Sequence, residues 1–146
     1  MYDLLSGLRV IEGSAFVAAP LGGMTLAQLG AEVIRFDPVG GGMDHKRWPL
    51  DSKGNSLYWA GLNKGKKSIA VNARETEGRE LIEAIICQPG PDNGIFLTNH
   101  PPGGPFSYNK LKSKREDLIM VNVLGSYDGS PAVDYTINCA LGFPFA

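Results

Sequence analysis

The chain has 146 residues, with 14 Lys and Arg against 15 Asp and Glu, a formal net charge of -1. That length suits one domain with a real core, and the even balance excludes a general nucleic-acid binder, whose phosphate contacts need excess Lys and Arg. No apolar run approaches the roughly 18 residues of a membrane span, Met1–Arg9 lacks the basic-then-apolar order of a secretory signal, and two distant cysteines, Cys87 and Cys139, read as reduced thiols of a cytoplasmic protein.

The first element is a short buried strand over residues 8–12, broken at Gly13-Ser14. A helix follows from Pro20, which suits a first turn, to Leu29, with Gly30 as its C-cap. Residues 32–37 read as a second strand stopped by Pro38, which completes a βαβ unit and predicts a parallel sheet. A long loop covers 38–56, and loops of that length usually carry function or move. Leu57–Ala60 is apolar and of ambiguous type. Residues 68–71 form a third strand. Thr76 can cap a helix over 77–86, with Leu81, Ile82, Ile85 and Ile86 inward and Glu77, Arg79, Glu80 and Glu83 outward. Residues 95–98 make a fourth strand, 108–112 a short helix, 118–122 a fifth strand, and 134–141 the start of another helix. The pattern is α/β with a doubly wound, largely parallel Rossmann-like sheet, whose ligands sit beyond the carboxyl ends of the strands.

The segments after the strands therefore matter most: 13–19, 37–42, 71–74 and 99–103. A dinucleotide site is disfavoured, because G-x-G-x-x-G is absent and Gly22-Gly23 fall inside the helix. Asp37 reads as a turn residue ending its strand rather than a ribose ligand. The turn Asn63-Lys64-Gly65-Lys66-Lys67 either holds a polyanion or is simply solvated, and Lys110, Lys112, Lys114 and Arg115 read as a solvated face. His45 and His100 have no Cys or carboxylate at metal-ligand spacing, so no metal site is expected. No G-x-S-x-G or H-E-x-x-H occurs. Met24, Met120, Phe36, Phe96 and Trp59 read as core.

Four stretches carry a resemblance as an ordered set. They are Leu5–Glu12, Ala19-Pro20 with Leu26–Ile34, Leu62–Ile69, and Thr98-Asn99-His100-Pro101-Pro102-Gly103. Together they resemble the N-terminal part of the class III CoA-transferases, the formyl-CoA and carnitine CoA-transferase family. The run Glu12–Ala31, Arg35–Pro38 with its triple glycine, and Lys46–Pro49 favour a subgroup that moves CoA between the two carboxylates of one C5 dicarboxylate.

The resemblance implies covalent catalysis through an aspartyl anhydride and an enzyme thioester. It places the nucleophilic aspartate beyond Ala146, so no catalytic residue is expected within the chain, which alone should be inactive. Asp128 and Asp134 are not expected to be that nucleophile. The resemblance makes residues 1–146 a CoA-binding N-terminal domain. It puts coenzyme A contacts at Val17 and Ala18, at Val71, Asn72, Ala73 and Arg74, and at Asn99, His100 and Pro101. Acyl-CoA and a small carboxylic acid are the implied partners, and an interlocked homodimer the implied assembly. A family position for a basic residue is Pro38 here, and Arg35 or Lys46-Arg47 is the expected substitute. The apolar end 141–146 is expected to favour association. A stand-alone CoA- or nucleotide-binding module, or an intermolecular CoA-transferase for another acid, remains an alternative.

Overall fold

A computed structural model describes residues 2–130 and 132–143. Residues 144–146 of the apolar end, and Met1, lie outside the described residues. Five parallel strands form one sheet in the order β3-β2-β1-β4-β5: β1 Arg9–Gly13, β2 Glu32–Asp37, β3 Lys67–Ala70, β4 Ile95–Thr98 and β5 Ile119–Asn122. The helices are α1 Ala18–Gln28, α2 Leu57–Asn63, α3 Thr76–Ile86, α4 Tyr108–Lys112 and α5 Asp134–Ala140. The doubly wound parallel sheet is thus present as the sequence implies.

Period-two alternation divides the core between the two faces. Val10, Val33 and Leu97 pack with Ala19, Ala27 and Ala31, on the α1 side. Ile11, Phe36 and Phe96 pack with Val71, Ile82, Ile86, Phe106, Leu111 and Leu118, on the side of α3 and α4. Small residues on α1 let that helix approach the sheet closely, and Gly13 does the same on β1, where any Cβ would fall inside the Phe36 ring.

The ambiguous segment Leu57–Ala60 lies in α2, begun by Ser56, whose Oγ accepts the Trp59 N–H at 3.0 Å. Other local expectations are corrected. Thr76 is the first residue of α3 and not its cap, which is Glu75. Leu81 faces outward, whereas Glu83 is buried and clasped by Lys110 and Lys114. Arg115 is buried too, against the Gly90 carbonyl at 2.8 Å and the Gln88 carbonyl. Three of the four basic residues read as a solvated face are therefore pins between α3, α4 and the neighbouring loop. No helix among the described residues is long and apolar enough to cross a membrane.

Candidate functional site

The chain leaves β1 for β2 and β3 on one side and later returns to β4 on the other. The switch lies between β1 and β4, so the crevice opens above their carboxyl ends. Two side chains stitch it together. The Thr98 hydroxyl donates to the Gly13 carbonyl at 2.7 Å and accepts the His100 N–H at 3.0 Å. The Asn99 amide accepts the Ala15 N–H at 3.0 Å and donates to the Ala15 carbonyl at 2.8 Å. The segments after β1 and β4 are thereby held as one unit.

Phe16 follows in a left-handed conformation, φ 68°, rare for a bulky residue and sustained only by its surroundings. Its N–H donates to Asp44 Oδ2 at 2.9 Å. Asp44 comes from the long loop 38–56 and is buried. Beneath it lies a charge cluster of Glu12, Arg35, Asp37 and Lys66, all with buried side chains. Arg35 donates to both Asp37 oxygens at 2.8 Å and to the Ser14 carbonyl at 2.8 Å. Lys66 Nζ reaches Glu12 at 2.9 Å, the Pro20 carbonyl at 2.8 Å and Asn63 Oδ1 at 2.8 Å.

Burial alone pulls the Arg35 guanidinium down, but Asp37, Glu12 and Asp44 outweigh it and raise its pKa above the ordinary value. For Lys66 burial prevails over Glu12 and the pKa falls. Arg35 pairs with Glu12 and Asp37, with Asp44 at 3.8 Å, and Lys66 pairs with Glu12, so these buried acids tie the strand tips and the 38–56 loop together. Asp37 ends β2 as the sequence implies, and it is in addition a buried ion-pair partner of Arg35. One expectation is corrected here. Arg35 and Lys66 are committed inside the protein, so neither can meet an external anion.

The contact residues implied by the resemblance occupy four kinds of place. Ala73, His100 and Pro101 line one cleft of about 340 Å³ together with Thr98, Gly104, Pro105, Phe106 and Met120. The tip of β3 and the tip of β4 thus meet in one groove. The His100 ring lies edge-on to Phe36, 6.1 Å between centroids, and burial followed by the Arg35 charge lowers its pKa. Asn72 and Arg74 are exposed at the edge of this region, with the Asn72 Oδ1 accepting the Arg74 N–H at 3.2 Å. Val71 is buried in the core, its N–H given to the Asp37 carbonyl at 2.9 Å. Val17 and Ala18 are exposed at the start of α1, which has no side-chain cap, and the Asn99 clamp on Ala15 fixes their approach. A second cleft, about 450 Å³ and lined by Cys87, Lys114 and Arg115, lies at the opposite, amino-terminal end of the strands.

The profile of CoA-transferase family III matches residues 5–146. The chain belongs to this family. It is 63% identical over 99% of its length to the 2-methylfumaryl-CoA isomerase of Chloroflexus aurantiacus, covering 36% of that protein. It is 34% identical over 89% of its length to the succinyl-CoA–D-citramalate CoA-transferase of the same organism, covering 33% of it. Among solved structures, a CAIB/BAIF family protein from Brucella suis superimposes with a TM-score of 0.83 at 29% identity, over 97% of this chain and 40% of that one. The chain spans about a third of the length of the curated relatives it matches.

Proposed function

We propose that this chain is the CoA-binding portion of an enzyme that moves CoA from C1 to C4 of mesaconyl-CoA (2-methylfumaryl-CoA) within one molecule. The 63% identity to a 2-methylfumaryl-CoA isomerase carries the choice of substrate. The groove shared by Ala73, His100 and Pro101 at the carboxyl end of a doubly wound sheet supports the binding role. In this reading Val17, Ala18, Val71, Asn72, Ala73, Arg74, Asn99, His100 and Pro101 surround the CoA. Backbone N–H groups at the uncapped start of α1 face its anionic or oxyanionic parts.

The chemistry divides one exchange into easier steps. An aspartate carboxylate, contributed by the part of the enzyme matching the rest of the relatives' length, attacks the C1 thioester. CoA leaves as thiolate, and a mixed anhydride forms. The thiolate attacks the aspartyl carbonyl, which gives an enzyme thioester and frees the C1 carboxylate. The C4 carboxylate then attacks that thioester and expels the thiolate. The thiolate takes C4 and regenerates the aspartate. The residues of this chain hold the CoA through these steps and keep water from the thioester. The family resemblance supports an interlocked homodimer acting in the cytoplasm.

The test incubates the complete enzyme with C1-mesaconyl-CoA and isotopically labelled free mesaconate. The reading expects the C4 isomer without label. Labelled product would favour intermolecular transfer, and no isomer would refute the assignment.

A further inference from the structure

Arg47 is a cation to which the charge cluster gives no role. Its guanidinium carbon lies 5.4 Å from the centroid of the Phe16 ring and 4.9 Å from that of Tyr58. Among the described residues it makes neither an ion pair nor a side-chain hydrogen bond, unlike Arg9, Arg35 and Arg115. Its main chain is nonetheless fixed. The Arg47 N–H donates to the Asp44 carbonyl at 3.1 Å, and its carbonyl accepts the Ser56 hydroxyl. Asp44 in turn holds the Phe16 N–H at 2.9 Å. One acid therefore places both the arginine and one of the rings beneath it. The strained Phe16 backbone, φ 68°, sets that ring immediately before Val17 and Ala18 at the head of α1. The Tyr58 hydroxyl is enclosed without a hydrogen-bond partner among the described residues.

Aromatic faces screen a guanidinium from water and leave its planar edge open. That edge is a fork of parallel N–H donors, matched to a carboxylate held bidentately. We propose that Arg47 docks the free carboxylate of the acyl-CoA substrate and so selects dicarboxylate thioesters over monocarboxylate ones. The inference rests on the CoA-transferase reading and names the group that reads its acyl end. The other anion at hand, a phosphate of CoA itself, is separated by the design of the test.

The complete enzyme is titrated with mesaconyl-CoA, crotonyl-CoA and CoA, as wild type, Arg47→Met and Arg47→Lys. Both isomers of mesaconyl-CoA carry one free carboxylate, so turnover does not blur the comparison. Arg47→Met is expected to weaken mesaconyl-CoA about tenfold or more, as loss of a charge-assisted fork should, while crotonyl-CoA and CoA stay within about twofold. Arg47→Lys is expected to fall between, since it keeps the charge without the fork, and it carries the test alone if Arg47→Met does not fold. Equal losses for all three ligands would assign Arg47 to the CoA phosphates or to the fold and overturn the inference. So would an unchanged preference for mesaconyl-CoA. Failure of wild type to bind any of the three would instead strike the CoA-transferase reading.

Discussion

The Asn99 side chain pairs with both backbone groups of Ala15, 84 positions away, at 3.0 and 2.8 Å. This two-bond clasp makes the loops after β1 and β4 a single surface. Asn99→Ala leaves the Ala15 N–H and carbonyl without these partners, at a cost of about 1–3 kcal/mol. Denaturant titration of the complete enzyme should show that loss, accompanied by weaker CoA binding. Full CoA affinity in a destabilised Asn99→Ala enzyme would mean the clasp serves folding alone.

Two adjacent glycines on α1 should respond oppositely to the same change. A Cβ at Gly22 meets only Leu97 Cδ2 at 3.7 Å, an ordinary contact. Gly22→Ala should therefore stabilise by up to about 1 kcal/mol through helix propensity. A Cβ at Gly23 would fall inside the Glu12 carboxylate, where Lys66 and Arg35 converge. Displacing that buried acid should cost about 3–5 kcal/mol, as breaking a buried pair does. Thermal melts of the two variants check the sign of each effect.

How much of this was legible in the sequence follows from distance along the chain. Residues 32–37 and 95–98 read directly as strands, because short β-branched and aromatic runs end at Pro38 and at Asn99-His100-Pro101. Helix α2 was ambiguous by periodicity, although Ser56 offered a cap signal that would have settled it. The charged residues misled. Lys66 looks like one of a solvated run, yet its partner Glu12 lies 54 positions earlier, and Glu83 looks outward until α4 delivers Lys110 and Lys114. Local charge patterning cannot show a pair made only by the fold. That residues 73, 100 and 101 fall together after strands was legible because strand ends are legible, and Lys46-Arg47 stood out as a basic pair. The Phe16–Asp44 contact and the stacking of Arg47 on Phe16 were not legible, because they depend on a left-handed backbone and a folded loop.

Glu83 should leave a mark on the pH dependence of stability. Burial raises its carboxyl, but the hydrogen bonds from Lys110 and Lys114 prevail and leave its pKa below the ordinary value. A depressed folded-state value means stability that is complete above the unfolded glutamate pKa of about 4.3 and is lost as pH falls below it. Glu83→Gln should thus lower the urea midpoint more at pH 7 than at pH 3.5. An equal drop at both values would show that the clasp works through packing rather than charge.

Arg74 is exposed beside the cleft residue Ala73 and shows no ion pair among the described residues. Arg74→Ala should weaken CoA binding to the complete enzyme by about tenfold, the loss of one charge-assisted phosphate contact, and leave the melting temperature unchanged. Calorimetry decides it, and an unaltered CoA affinity would remove Arg74 from the site.

The most direct measurement is hydrogen exchange of the complete enzyme with and without CoA, read peptide by peptide. A single groove at the carboxyl ends of the strands predicts that residues 13–19, 71–74 and 99–104 gain protection together at the same CoA concentration. Protection confined to the opposite cleft around Cys87, Lys114 and Arg115, with those three segments unchanged, would contradict it.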